Sequence, residues 1–272
     1  MQLSTRCAIR QASNAMPPSS LMSPTIVMIT GVTRGIGNTI LQSYLQRPGH
    51  IVIGSVRNKT SQLAQELQQL PRAAGSQLVI VRIESTSPSD PAEAVRDIVA
   101  AGIDHIDIVI ANAGGLRETV APLEAVTADD VTETFQTNAL GPLMLFQAVH
   151  PLLRQSHASP KWVSVSSSIG SIGYMQSYHS HLAPAYGISK AALNWITMAI
   201  HCGNPWLVAF CINPGMVQSE PGNRNARLLG LDKAPITLRQ AADAIIGLAD
   251  KATREETSSK FFQAMTGLEI PW

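Results

Sequence analysis

Along the chain, short apolar runs alternate with stretches whose apolar residues recur every three or four positions. "TIVMIT" (25–30), "HIVIGSV" (50–56), "SQLVIVRI" (76–83), "HIDIVIANAG" (105–114), "KWVSVSS" (161–167) and "WLVAFCINPG" (206–215) are runs of strand length. Between them lie helix-like stretches at about 36–46, 61–70, 87–102, 127–155 and 184–202, and a helix near 236–250 and a short strand near 260–262 follow. Thr127 and Asp130 form a capping-box start for the helix at 127–155, and Pro184 opens the one at 184–202. Strands with unbroken apolar cores are buried on both faces. The alternation therefore predicts an α/β fold: one doubly wound domain over 24–272, built on a parallel sheet of about seven strands.

Composition narrows the function classes. The chain has 272 residues, 45% of them apolar, and a net charge of +1. That is enough apolar material for a sizeable core, and too little charge to draw nucleic acid or an acidic membrane surface. The longest apolar runs, such as "LVAFCI" (207–212), are too short to span a bilayer. Cys7, Cys202 and Cys211 have no metal-ligand spacing, and an odd count favours reduced thiols inside a cell. No metal is expected. Residues 1–23 stand apart: they carry Arg6 and Arg10, are rich in serine, and precede the first acid of the chain, Glu66. They read as a disordered tail, with an upstream start ahead of Met16 or Met22 as one account and a mitochondrial targeting segment as the other. The expected location is accordingly cytoplasmic, with the mitochondrion as the alternative.

The first strand runs into "TGVTRGIG" (30–37), where Gly31, Gly35 and Gly37 fall between a strand and a helix. Glycines there let the backbone turn tightly and approach a pyrophosphate held against the positive end of the helix. The second strand ends in "GSVRN" (54–58). A site preferring NAD places an acid here for the ribose 2′-hydroxyl. This chain has Arg57 instead, and Arg34 in the glycine turn. Two guanidinium groups suit a 2′-phosphate, so NADP(H) is the expected cofactor.

"YGISK" (186–190) places Tyr186 and Lys190 four apart, on one face of a helix. A free tyrosine has a pKa of about 10. A lysine ammonium one turn away stabilises the phenolate and is expected to pull that value down, fitting Tyr186 for proton transfer to or from a substrate oxygen. Around this pair, "VSVSSSIG" (163–170) puts serines where a fifth strand ends, "ANAG" (111–114) ends the fourth and "NPG" (213–215) the sixth. Ligands bind beyond the carboxyl ends of such strands. Asn138, in "QTNALGPL", is a polar residue within an apolar helical segment and needs a buried partner.

"TGVTRGIG", "NAG", Asn138, the serine strand, "YGISK" and "NPGMV" occur in the order and spacing of the short-chain dehydrogenase/reductases, and the resemblance covers about 24–272. It implies a single Rossmann-type domain and a small-molecule carbonyl substrate. It also implies that Tyr186 is the catalytic acid/base, and that Lys190 holds the nicotinamide ribose and lowers the tyrosine pKa. Ser167 would bond the substrate carbonyl, although Ser166 and Ser168 stand beside it. Asn138 would keep a water that links Lys190 to solvent. For the cofactor, the resemblance implies Gly31, Thr33, Arg34, Gly35, Ile36, Gly37, Arg57 and Glu84, with Asn112, Ala113 and Gly114 lining the adenosine side. Pro214, Gly215, Val217 and Ser219 would lie on the nicotinamide side. Glu84-Ser85 departs from the usual Asp and small apolar residue at the adenine.

The gap from Ser167 to Tyr186, "SIGSIGYMQSYHSHLAPA" (168–185), resembles the C-factor and sniffer-type carbonyl reductases. "NPWLVAFCINPGMVQSE" and the terminal "GLEIPW" are similar to fungal members, the norsolorinic acid ketoreductases of secondary metabolism among them. This resemblance implies an NADPH-dependent ketoreductase acting on a ketone, such as one on an aromatic polyketide, through a Ser-Tyr-Lys-Asn site. Tyr174, Met175 and Tyr178 are candidates to line a pocket for a flat substrate, and His179 and His181 lie in the insert above it. Residues 218–235 resemble a mobile substrate lid, and their glycine and asparagine fit a loop. The resemblance also implies a homodimer or homotetramer paired through the two long helices. The rival readings are an alcohol dehydrogenase or enoyl reductase on the same fold, and a non-catalytic NADP-sensing regulator.

Overall fold

A computed structural model describes residues 23–115 and 121–272, so the reading of residues 1–22 lies outside the described residues. Seven parallel strands form one sheet in the order β3-β2-β1-β4-β5-β6-β7. They are β1 (Thr25–Thr30), β2 (His50–Val56), β3 (Gln77–Arg82), β4 (Ile108–Ala111), β5 (Lys161–Val165), β6 (Val208–Asn213) and β7 (Phe261–Gln263). The helices are α1 (Gly35–Leu45), α2 (Gln62–Leu67), α3 (Asp90–Ala100), α4 (Ala128–Phe135), α5 (Gly141–Arg154), α6 (Pro184–Gly203), α7 (Glu220–Leu228) and α8 (Leu238–Lys251). The strand order reverses direction between β1 and β4, which opens a crevice at the carboxyl edge of the sheet.

Strand alternation explains both layers of the core. Val27 and Ile29 of β1 face the side covered by α1 and α8, where Ile40, Leu41, Ile245 and Ile246 meet Val163 and Phe210. Ile26 and Met28 face the other side, where Ile98, Leu145, Val149, Ile196 and Ile200 pack on Val109 and Trp162. Tyr44 of α1 donates to Asp250 of α8 at 3.0 Å, and Arg47 pairs with the same carboxylate at 2.8 Å. A smaller cluster joins Cys211, Phe261 and Ile270 with Tyr174 and Trp272. It docks the end of the chain on the 168–183 insert: Ser171 Oγ donates to the Pro271 carbonyl at 2.6 Å, and Gly173 N–H to that of Trp272 at 2.9 Å.

Two segments differ from expectation. The helix foreseen over 127–155 starts at Thr127, whose hydroxyl accepts from Asp130 N–H, but Gln136–Leu140 forms a π-helical turn between α4 and α5. Residues 218–235 are not all loop. Ser219 accepts from Gly222 N–H and caps α7, and Pro221 sits in the first turn where its missing N–H costs nothing. Among the described residues, no helix is long and apolar enough to cross a membrane.

Candidate active site

The crevice is assembled from the carboxyl ends of β1, β4, β5 and β6. At β1, Gly31 adopts φ +72°, and its α-carbon lies so close to Ala113 that an added Cβ would meet the Ala113 Cα at 3.1 Å. A Cβ on Gly37 would sit 2.5 Å from both Asn112 Nδ2 and Gly31 O. Thr30 holds the two strand ends together: its hydroxyl accepts from Asn112 N–H at 3.0 Å and Ala113 N–H at 2.9 Å, and Asn112 Nδ2 returns a bond to the Thr30 carbonyl at 2.9 Å. Asn112, expected to line the adenosine side, thus has its amide committed to bracing β1. Thr30 was not foreseen, although it is the residue just before the first glycine.

No side chain caps α1 and its first turn holds no acid, so its leading N–H groups suit an anion. Thr33 and Ile36 are partly buried in that turn, and Ile36 packs on the core beneath. Arg57 is exposed at the end of β2. Arg34 is exposed too, but reaches across the crevice to Glu220 of α7 at 2.5 Å. Glu84 is partly buried beyond β3, where its N–H donates to Asp90 at 2.8 Å; Arg82 and Ser87 bond the same buried carboxylate.

The ends of β5 and β6 supply the polar floor. Ser166 turns inward and donates to Asn194 of α6 at 2.6 Å. Ser167 is the serine that faces Tyr186, as strand alternation allows. Its hydroxyl also accepts from Ile169 N–H at 3.2 Å. Asn213 accepts from Gly215 N–H at 3.2 Å, and Gly215, at φ +78°, leaves no room for a side chain beside Ile236. Pro214 and Val217 are buried, Val217 bridges to Ile236, and Ser219 caps α7.

Lys190 is almost fully buried. Its Nζ donates to the Val165 carbonyl at 2.9 Å and lies 5.7 Å from the centroid of the Tyr186 ring. Burial drives its pKa down to about 8, against an upward pull from Cys211. Tyr186 as a whole is half-buried, with its hydroxyl end against Ser167. Loss of water there pushes the phenol up to about 12, and the Ser167 hydroxyl facing it pulls the other way. The expected lowering of the tyrosine pKa by Lys190 is therefore not found. The ammonium is bonded to Val165 and sits over the ring face, so desolvation of the phenol wins.

Asn138 is fully buried in the π-helical turn. Its Nδ2 donates to the Gly115 carbonyl at 2.8 Å and to Ser189 Oγ at 3.0 Å, and its Oδ1 accepts from Gly115 N–H at 2.9 Å. A Cβ on Gly114 would lie 2.9 Å from Asn138 Oδ1 and 3.5 Å from Lys190 Nζ, so the "NAG" turn touches the lysine pocket. On the insert, Ile172, Gly173, Met175, Gln176, His179 and His181 line an open cleft of about 470 Å³. Tyr174 does not join them. It turns toward Phe261 and Trp272, with Tyr178 edge-on to it at 5.0 Å.

The chain is similar to known proteins. The family described as short chain dehydrogenase matches residues 25–227. The short-chain dehydrogenase RED3 of Pyricularia oryzae is 46% identical over 91% of this chain and 98% of its own length. The norsolorinic acid ketoreductase nor1 of Dothistroma septosporum is 38% identical over 94% of this chain and 95% of its own. Among solved structures, the NADPH-bound carbonyl reductase from chicken fatty liver superposes with a TM-score of 0.79 at 26% identity, covering 92% of this chain and 95% of that one. With the glycine turn, the serine strand end and the tyrosine–lysine helix built around one crevice, the chain belongs to the short-chain dehydrogenase/reductases, oxidoreductases that interconvert carbonyl and alcohol groups.

Proposed function

We propose that this protein is an NADPH-dependent ketoreductase that reduces a bulky, apolar ketone to a secondary alcohol. The observation that carries the reading is that Ser167 faces Tyr186, with the buried Lys190 ammonium against the same ring. A carbonyl oxygen entering this corner takes hydrogen bonds from both hydroxyls. Tyr186, protonated at neutral pH because burial holds its pKa near 12, donates the proton that completes the alcohol. Lys190 holds positive charge beneath the ring, and Asn138 holds the Gly114–Gly115 wall beside it.

The cofactor reading rests on fit. The close approach of Gly31 and Gly37 to "NAG", the uncapped start of α1 and the guanidinium groups of Arg34 and Arg57 suit a dinucleotide with a 2′-phosphate. Bound NADPH would supply the hydride that adds to the carbonyl carbon.

The substrate reading rests on apolar surface. Fifteen large apolar side chains are exposed among the described residues, and seven of them (four plus three) lie on two segments beyond adjacent strands. Ile172, Met175, Tyr178 and Leu182 are on the insert after β5, and Leu228, at the end of α7, with Leu229 and Leu231 just beyond it, follow β6. Two apolar lips beside one reactive corner suit a ketone with a large flat body, in keeping with the norsolorinic acid named for the 38%-identical relative. Ile188 and Trp195, the latter 73% exposed, lie two turns apart on α6 and support the expected homodimer or homotetramer. The deciding assay is NADPH oxidation at 340 nm against aryl alkyl ketones and hydroxyanthraquinones. Turnover that Tyr186→Phe abolishes while NADPH binding persists is the expected result. Binding without turnover of any ketone, in either form, would favour a regulator instead.

A further inference from the structure

One fully buried polar side chain lies outside the Ser-Tyr-Lys-Asn set and yet bonds to two of its members. Ser189 Oγ accepts from Asn138 Nδ2 at 3.0 Å and donates to the Tyr186 carbonyl at 2.8 Å. Its single proton therefore points one way along the chain Asn138 → Ser189 → Tyr186. Gly115 fixes the other side of the amide, because a backbone N–H only donates and a carbonyl only accepts. It gives its N–H to Asn138 Oδ1 and takes the remaining Nδ2 hydrogen on its own carbonyl. Both Nδ2 hydrogens are thus used, one by Gly115 and one by Ser189.

We infer that Ser189 is a positioning residue, acting through Asn138 to hold the Gly114–Gly115 wall in place and tie it to the helical turn that carries Tyr186 and Lys190. Asn138 and Ser189 stand 51 residues apart on different helices, and Gly115 belongs to a third segment, after β4. Ser189 is the joint through which those segments share one bonded amide. Without its hydroxyl, one Nδ2 hydrogen faces a dry interior with no acceptor, and the amide is free to turn. The wall it clamps would move with it. The clearance there is small: a single methyl group at Gly114 would meet Asn138 Oδ1 at 2.9 Å. The wall borders Lys190 Nζ, so its displacement would open the lysine pocket without touching Tyr186 or Ser167.

The inference rests on the proposed function only for the meaning of the site, and its test needs no turnover. Amide hydrogen exchange is followed by mass spectrometry in peptides covering 109–115, with peptides from β6 as the control for global loosening. Ser189→Ala is expected to accelerate exchange at the Gly115 end about tenfold and leave β6 unchanged. Asn138→Ala should do the same, and the double variant should add nothing further, because both act on one amide. Unchanged exchange in Ser189→Ala, or additive effects in the double variant, would overturn the inference. If Ser189→Ala does not fold, Ser189→Cys keeps a small side chain with a weak donor and acceptor; intermediate exchange supports the inference and native exchange sinks it. With 9,10-phenanthrenequinone as the probe substrate, Ser189→Ala should lower kcat. No turnover by the native chain would count against the ketoreductase reading alone.

Discussion

At the carboxyl ends of β1 and β4 the chain is packed backbone against backbone, whereas at the ends of β5 and β6 it sends out two long segments whose apolar side chains stand in solvent. The first region is held by Thr30, Asn112 and glycines with no space for a methyl group. The second is held at its base by Ser166 and Asn213 and then spreads into the insert and α7. A cofactor common to a whole family needs a fixed cradle, and fixed backbone provides one. A substrate particular to one protein needs adjustable side chains, and those are carried on segments that tolerate change.

The sharpest way to break this contrast is to crowd the cradle. A methyl group on Gly37 would meet two atoms that are themselves tied into the end of β1. Gly37→Ala should weaken NADPH binding about 100-fold, measured by cofactor fluorescence. An affinity within about threefold of the native value would show that the turn gives way as readily as the lips.

Lys190 sits where the two regions meet, and its charge is expected below about pH 8 and lost above. If ketone reduction needs that charge, the rate should fall about tenfold per pH unit above this value. In Lys190→Arg the guanidinium keeps its proton, so its profile should stay flat over the same range. Parallel profiles would assign the limb to another group.

A smaller effect is expected at the lips. Replacing Leu228 and Leu229 together by serine should raise the KM of a bulky aryl ketone about fivefold and leave NADPH affinity alone. A matched loss of NADPH affinity would mean that α7 serves the cradle instead. The smallest effect concerns an ion pair that crosses between the regions. Arg34 and Glu220 are both more than two-thirds exposed. Glu220→Gln should speed NADPH release only about twofold in stopped-flow, with the difference vanishing at high salt.

The contrast also explains what could be read in advance. The strands and most helices were legible because buried parallel strands are continuously apolar and glycines punctuate their ends; β1, β2 and α6 fall within a residue of expectation. The cradle was legible because each of its glycines answers a local backbone need. α7 was not, since Gly222, Asn223 and Asn225 are poor helix formers and the cap at Ser219 outweighs them. The tyrosine pKa was misread for a different reason. Four-residue spacing reports which side chains share a face, but not that Val165, from a distant strand, offers the lysine a better partner. Ser189 lay in plain sight inside "YGISK", yet only the fold brings Asn138 to it.

The π-helical turn at Gln136–Leu140 has a consequence for how this chain can change. Such a turn holds one residue more than an α-helical turn does, so it works as a phase shifter built into one long rod. Deleting one of its residues other than Asn138 would let the turn relax to regular α-helical winding, with everything downstream keeping nearly the same faces. Leu145, Val149 and Leu152 would then stay on the core, because the turn already absorbs the extra residue. The rod can thus lose a residue at this turn and keep its layer, whereas a deletion inside α4 or α5 would rotate everything beyond it by about 100°.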